Sequence, residues 1–390
     1  MPGIGVLAAL YNRRAAKLGG RKAVLQLPLA NPKAGAGSPH RTVGPFNGEA
    51  DGQRNRPMTT SPDPLLNACN DSLLRCLQVV ANDCPGLPDE TPSLHRLRNL
   101  VLVHQAVSPS PAPPDGREMT LEDALALVTN AQGQLTTLHR GGASNPVEPE
   151  LHQALTETVD ALAARLGQEI RIRQADRVHG LYVIIDPQVT GGREPLEIAN
   201  AAVRGGAKML QLRDKLRDKG TQLPLAQALK ELCAANDVML IINDHVDLAV
   251  AVDADGVHVG QTDLPVAEAR RVLAPHQLLG RSNREIDLII ASQEMGADHV
   301  AFGAIYTTTT KVAPAGGRKS PQGIKPLIRA RAAAKVPLVA IGGINAENVA
   351  PVVEAGADAI CVTAAVASAP EPEAAAEQLV KAIWDAGGRA

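Results

Sequence analysis

Along the second half of the chain, short apolar runs alternate with longer amphipathic stretches. The runs are GLYVIID, KMLQLR, VMLIIN, GVHV, LLGRS, HVAFG, PLVAIG and AICV. Between and after them lie stretches such as PLEIANAAVRGG, LPLAQALKELCAAN, LPVAEARRVL, EIDLIIASQEMG and PEAAAEQLVKAIWDAG, whose apolar residues recur every three or four positions. The first kind reads as a strand buried on both faces, the second as a helix with one apolar stripe. Eight strand signals, each followed by a helix signal, predict a (β/α)8 TIM barrel over residues 176–390. A doubly wound open sheet is the rival architecture, and eight regular units favour closure. The phrases GGAK, MGADHV and AGADAI, each just before a strand, read as turns at the bottom of the barrel.

Over residues 58–175 the period is helical. PLLNACNDSLLRCLQVV, SLHRLRNLVLVHQAV, TLEDALALVTNAQGQL and ELHQALTETVDALAARL predict a small all-α region over residues 58–175. Helix starts are marked at Ser93, Thr120 and the Pro149–Glu150 pair; stops are marked by CPGLP, SPSPAPPDG and RGGASNP. Its residues show no convergent set of His, Cys and carboxylates, so scaffold, oligomerisation or interaction roles fit it better than chemistry. Residues 1–57 have no acidic residue before Glu49 and no apolar period. They read as a disordered extension, or as sequence upstream of a start at Met58; the acidic-poor YNRRAAKLGGRK admits a transit peptide as the alternative.

Composition narrows the function classes. Aromatic residues make up 2% of the 390, too few for the stacking platforms of single-stranded nucleic-acid binding. A formal charge of -2 supplies no general field for nucleic acid or a membrane surface, though a local anion site stays open. Five dispersed cysteines without CxxC spacing suggest reduced thiols and a cytoplasmic setting. Cys69 and Cys76, seven apart on a helix, read as packing residues. No apolar run approaches the roughly 18–20 residues that span a bilayer.

In a barrel of this kind the chemistry sits at the C-terminal ends of the strands. The second strand ends in QLRDK, where Gln211, Arg213 and Lys215 alternate and face one side, as a polyanion clamp would. The third ends in Asn243-Asp244, and VGQTD after the fourth delivers Asp263. Singly, Asp244 and Asp263 read as caps of the helices that follow. Beside the cationic residues they read as a carboxylate pair for a hard cation, Mg²⁺. His245 and His258 read as a helix-opening and a packed strand residue, and Asp247, Asp253 and Asp255 as helix and turn residues. The sixth strand runs into GAIYTTTTK, whose hydroxyls and Lys311 can grip phosphate, and VAPAGGRKSPQG follows as a loop able to close over a ligand. Gly342 and Gly343 after the seventh strand allow close approach of backbone to a phosphate. Two anion sites are therefore expected, one for a diphosphate and one for a monophosphate.

Together QLRDK, INDHVDLAVAVDADGVHVGQTDLP, FGAIYTTTTK and VAIGGI resemble the thiamine-phosphate synthase (thiamine-phosphate pyrophosphorylase) family, over about residues 178–386. The resemblance implies a Mg²⁺-dependent transferase that joins 4-amino-2-methyl-5-(diphosphooxymethyl)pyrimidine to a thiazole phosphate, releasing diphosphate. It implies that Gln211, Arg213, Lys215, Asn243 and Lys311 hold the pyrimidine diphosphate, with Arg213, Lys215 and Lys311 catalytic. Asp244 and Asp263 would ligate the metal and Ser282 would contact the pyrimidine. Thr308, Thr310 and Gly343 would hold the thiazole phosphate. Two places depart from the family's pattern. Thr363-Ala364 stand where an apolar residue and serine are usual, so the Thr363 hydroxyl and local N–H groups are expected to serve. Asn283-Arg284 follow Ser282 where Thr-His is frequent. A thiazole tautomerase-like isomerase and a non-catalytic sensor of thiamine intermediates are the alternatives. Small molecules, a possible second copy bound through the helical region, and neither nucleic acid nor membrane are the expected partners.

Overall fold

Parallel strands joined by helices must either leave two open edges or close, and here they close. In the computed structural model, which describes residues 63–82, 84–103, 118–142, 145–308 and 320–389, eight strands form one barrel in chain order. They are β1 Gly180–Ile185, β2 Met209–Leu212, β3 Met239–Asn243, β4 Gly256–Val259, β5 Leu278–Asn283, β6 His299–Gly303, β7 Leu338–Ile341 and β8 Ala359–Val362. All neighbours are parallel, and the last pairing, Gly180 with Ala359 through Val183 with Val362, returns β8 to β1. The TIM-barrel expectation therefore holds, and the open-sheet rival does not. The expectation for residues 1–57 lies outside the described residues.

Alternation along each strand divides two cores. Leu181, Val183, Leu210, Leu240, Val257 and Leu279 point outward under the helices. Tyr182, Met209, Met239, Ile241, Leu278, Ala301, Val339 and Cys361 fill the barrel interior. Three buried polar side chains, Gln211, His258 and His299, share that interior. His299 is fully buried, and burial pushes its imidazole down to about 4.

The bottom of the barrel repeats one device. Asp255, Asp298 and Asp358 each precede a strand and each accept an N–H from the first or second residue of the strand before it: Leu240 at 2.8 Å, Leu279 at 2.8 Å and Leu338 at 2.7 Å. Each also pairs with a cation, Lys230, Arg270 and Arg331 respectively. These carboxylates satisfy donors that would otherwise be orphaned where the strands begin. They also account for two of the Gly-Ala-Asp phrases before strands.

Ahead of β1 run four helices: α1 Pro64–Asn82, α2 Pro92–Val103, α3 Leu121–Arg140 and α4 Pro149–Ala175. The second begins at Pro92, one residue before the Ser93 signal, because proline is preorganised for the first helical position. Thr120 caps α3 as expected: its Oγ1 accepts the Asp123 N–H, and Asp123 accepts the Thr120 N–H at 3.0 Å. Leu73, Leu77, Leu94, Leu97, Val128, Leu135, Leu162 and Leu166 bury a core separate from the barrel's. Cys69 packs against this core, and no disulfide joins any of the five cysteines. No described helix is long and apolar enough to cross a membrane.

The helices rest on the bottom of the barrel through α4. Gly167 abuts Pro275, so that a Cβ there would sit 2.6 Å from the proline Cβ and 2.7 Å from its carbonyl oxygen. Arg171 donates to Asp298 at 3.1 Å and to the Pro275 carbonyl. Arg177, just past α4, pairs with Asp237 at 2.6 Å.

Two predictions follow from this packing. Gly167→Ala raises intrinsic helix propensity by about 1 kcal/mol yet forces the Cβ into backbone, and overpacking costs about 1–3 kcal/mol. We expect a net loss in urea-unfolding stability; a gain would show that α4 and Pro275 are not in contact. The second concerns pH. With His299 at about 4 in the folded chain against an ordinary value of 6.5, the unfolded chain takes up a proton that the folded chain refuses. Stability therefore falls as pH drops from 6.5 toward 4, and this loss is complete below 4. By linkage the loss is about 2 kcal/mol between pH 7 and pH 5. Urea titrations of wild type and His299→Leu at both pH values should differ by about that amount; identical pH slopes would contradict the assignment.

Candidate active site

The mouth of the barrel is built from loops that leave the strands at their C-terminal ends. β2 stops at Leu212, so of the alternating triad only Gln211 is a strand residue. Its amide donates to the Tyr182 hydroxyl inside the barrel. Arg213 and Lys215 come from the loop that follows, between β2 and α6 (Lys219–Ala235). That loop is wound around the buried Asp214, whose Oδ1 accepts the N–H groups of Leu216 at 3.2 Å and Arg217 at 3.1 Å. Arg217 also pairs with Asp214, and the Gln222 amide donates to the carbonyls of Asp214 and Arg217. The two candidate cations are thus aimed by loop structure rather than by strand alternation.

Each cation meets a carboxylate from a neighbouring strand exit. Arg213 pairs with Asp186, the residue directly after β1, which is 2% exposed. Asp186 also accepts the Gln188 N–H at 3.0 Å, so its position is set by its own loop. Lys215 pairs with Asp244.

Asp244 and Asp263 come together. Asp244 follows β3 with a left-handed φ of 61°, and its N–H donates to the His258 carbonyl at 2.8 Å. Asp263 accepts the Gly260 N–H at 2.7 Å. Neither caps a helix: the capping positions of α7 (Val246–Ala251) and α8 (Val266–Val272) fall to His245 and Pro265. Instead the two carboxyls lie close enough to shift each other's titration in opposite directions. Burial, then the Asp263 contact, raises Asp244 above the usual carboxylate range against the opposing pull of Lys215. Burial also works against ionised Asp263, but the Asp244 carboxyl, the Gly260 N–H, Lys215 and Arg281 outweigh it and hold Asp263 low. Two oxygen-donor side chains so close favour a cation between or beside them. Asp214, Lys215, Arg217, Lys219, Asp244 and Asp263 line the same cleft, about 610 Å³ in volume.

Asn243 ends β3, half-buried beside this pair. Ser282, on β5, lies within hydrogen-bonding distance of His258 Nε2 at 2.9 Å. His258 is thus a packed, hydrogen-bonded residue, and His245 opens α7. Asp247 pairs with Lys219, Asp253 sits in a turn with φ of 51°, and Asp255 is one of the strand-start acceptors described above.

Across the mouth, the exits of β6 and β7 run side by side. The Ile305 N–H donates to the Ile341 carbonyl and the Tyr306 N–H to the Gly342 carbonyl, both at 2.9 Å. Gly343 has φ of 71°, and a Cβ on it would lie 2.5 Å from the Thr307 carbonyl oxygen. Only glycine therefore allows this close approach. Thr308 is half-buried on the same side. Thr363 and Ala364 follow β8, next to β7, at the start of a four-residue helix, Ala364–Ala367. Thr310 and Lys311, with most of the loop after them, lie outside the described residues.

The departure at Asn283-Arg284 has a structural reason. Asn283 turns away from the mouth, donating to the Arg281 carbonyl at 3.0 Å and accepting from Ser292 Oγ at 2.9 Å. Arg284 donates to the Ser320 carbonyl at 3.1 Å, where the chain returns from the loop after β6. Reading strand ends in sequence passed over Asp186, although it closes VIID as Asp244 closes IIND. It also gave no sign of His299, whose neighbours are distant in the chain.

The sequence profile of the thiamine monophosphate synthase family matches residues 181–366, within the barrel. A thiamine-phosphate synthase of Moorella thermoacetica is 41% identical over 209 residues, covering 54% of this chain and 98% of that protein. One of Chlorobium luteolum is 44% identical over 200 residues, covering 51% and 91%. Among solved structures, a thiamine phosphate pyrophosphorylase from Pyrococcus furiosus is 30% identical with a TM-score of 0.49, covering 55% of this chain and 98% of that one. With nearly the whole length of such relatives matched at this identity, the chain belongs to the thiamine-phosphate synthase family of transferases.

Proposed function

We propose that this chain condenses 4-amino-2-methyl-5-(diphosphooxymethyl)pyrimidine with a thiazole phosphate, giving thiamine phosphate and diphosphate. The observation that carries the reading is the Asp244–Asp263 pair set beside Lys215, with Arg213 held by Asp186 one strand away. Such an arrangement suits a diphosphate accompanied by a hard cation, and a monophosphate would not require both halves of it.

Asp244 and Asp263 are the residues that would hold Mg²⁺, and the raised carboxyl of Asp244, buried and set against Asp263, supports the fit. When bound, Mg²⁺ would neutralise charge on the diphosphate oxygens. Arg213, Lys215 and Lys311 bind the same group and stabilise the negative charge that grows on it as the C–O bond breaks. Gln211 and Asn243 orient the pyrimidine diphosphate, and Ser282 contacts the ring. The bonding pair leaves with diphosphate, and the aminopyrimidine spreads the resulting positive charge. The thiazole nitrogen then supplies the lone pair that forms the new C–N bond. No protein nucleophile takes part, consistent with the lack of a nucleophile–base pair among the residues lining the cleft.

Thr308, Thr310, Gly343, Thr363 and Ala364 hold the thiazole phosphate across the mouth. The close approach of Gly343 to the Thr307 carbonyl supports this placement, because it brings the β6 and β7 exits together. The preceding helices lend the site no side chain in this reading and serve as scaffold or interaction surface.

Purified full-length chain supplied with both substrates should form thiamine phosphate with Mg²⁺ and lose that activity with a chelator. A folded chain that binds the thiazole phosphate but forms no product would favour the isomerase or sensor alternative. Lys311→Ala should lower kcat/KM by roughly 100-fold or more with the fold intact, as expected for a lost transition-state cation. Wild-type turnover would remove Lys311 from the chemistry. Asp186→Asn should weaken the hold on Arg213 and lower kcat/KM by about 10–100-fold, mainly through KM for the pyrimidine diphosphate. An unchanged KM would make Asp186 merely structural.

A further inference from the structure

Two side chains that the proposed reaction leaves unused, Tyr306 and Asn348, converge on the turn after β7. In that turn Gly342 and Gly343 both have left-handed φ, 105° and 71°. The Gly342 carbonyl accepts the Tyr306 N–H at 2.9 Å, and the Gly343 carbonyl accepts from Asn348 Nδ2 at 3.0 Å. Asn348 is itself fixed on two sides. Its Oδ1 accepts the Asn345 N–H at 2.9 Å, and its backbone carbonyl accepts the Tyr306 hydroxyl at 3.1 Å. The side-chain amide fits only one way round, since one end meets a donor and the other an acceptor.

Those carbonyls decide where the neighbouring N–H groups point. In a trans peptide the N–H lies opposite the C=O. Drawing the Gly342 and Gly343 carbonyls toward Tyr306 and Asn348 therefore turns the N–H groups of Gly343 and Ile344 to the other side. β7 lies between β6 and β8, so the side away from Tyr306 is that of the β8 exit, where Thr363 and Ala364 stand. Neither N–H has an acceptor among the described residues, although Ile344 is buried. Two adjacent backbone donors left open in this way form a seat for an anion. The peptide between Gly343 and Ile344 is also the one most able to turn over, because glycine tolerates both halves of φ/ψ space. Asn348 is the group that holds it.

We propose that Asn348 is a positioning residue which, braced by Tyr306, turns the Ile344 N–H into line with that of Gly343, so that the pair grips a phosphate monoester. The substrate clause rests on the reading that the β7 and β8 exits hold the thiazole phosphate; the direction of the two N–H groups does not. Without the Asn348 donor the Gly343 carbonyl is released, and the Ile344 N–H no longer has a fixed direction.

Amide ¹H–¹⁵N spectra of the full-length chain, titrated with inorganic phosphate, read this directly. In the wild type the Gly343 and Ile344 amide protons should both move downfield. In Asn348→Ala the Ile344 response should be lost and the Gly343 response kept, because the Tyr306 N–H still holds the Gly342 carbonyl. KM for the thiazole phosphate should then rise roughly tenfold while KM for the pyrimidine diphosphate changes by less than about twofold, as for one lost hydrogen bond to a charged group. Asn348→Asp keeps the acceptor for Asn345 but has no N–H for Gly343, so it should lose the Ile344 response as well. A wild-type Ile344 response in that variant would show that Asn348 only builds the turn, and would overturn the proposal. Tyr306→Phe removes a hydroxyl alone; it should weaken the Ile344 response and serves if the Asn348 variants do not fold. Phosphate that moves neither amide in the wild type also overturns the proposal. A lost Ile344 response with both KM values unmoved, or both raised alike, overturns its substrate clause. Absence of thiamine phosphate formation by the wild type would count against the function proposed above, while the amide responses would still decide the direction of the N–H groups.

Discussion

Closure of the parallel sheet is the constraint on which everything else rests. A barrel whose strands all run one way has one end where every strand starts and one where every strand stops. At the starting end, unpaired N–H groups must be satisfied, and Asp255, Asp298 and Asp358 do this at alternate strands. At the stopping end, loops from strands remote in sequence are brought within contact of one another. Asp186, Arg213, Lys215, Asp244 and Asp263 belong to four consecutive exits, and no shorter stretch of chain could assemble them.

The charge pattern at the mouth is paired yet poised. Arg213 and Lys215 each have a carboxylate to hold them in place, so that neither long side chain must be ordered by the ligand alone. Such preorganisation matters because conformational freedom lost on binding subtracts from affinity. The two aspartates, by contrast, oppose each other, and their mutual repulsion is relieved by a proton or by a cation. An anionic ligand and a cation arriving together would satisfy both halves at once.

Much of this was legible in the sequence because it is periodic. Seven of the eight strands fall within the apolar runs and β5 passes the end of its run by one residue, to Asn283, since burial on both faces leaves a continuous apolar signature. The carboxylates after β3 and β4 could be picked out because a strand end is a position that sequence marks. What was not legible depends on contacts between distant segments. Capping was the simpler reading of Asp244 and Asp263, and it fails because His245 and Pro265 take those positions. Alternation predicted a common face for Gln211, Arg213 and Lys215, but the strand stops at Leu212 and Asp214 shapes the rest. His299 looked like any residue of an apolar strand; its place beside His258 depends on Gly280, nineteen positions earlier, which leaves room for both rings. Thr310 and Lys311 remain assigned by family pattern and chemistry.

The joint between α4 and β1 carries a consequence of its own. Only residues 176–179 separate the end of the helix from the start of the strand, and Gly167 is already seated against Pro275 before the helix ends. An α-helix turns by about 100° for each residue. Adding or removing one residue between Gly167 and the end of α4 at Ala175 would therefore swing the whole helical region around the α4 axis like a key turned in a lock. The joint is thus quantised: its length can drift in evolution only by steps near a whole helical turn, or with a compensating rebuild of the bottom of the barrel.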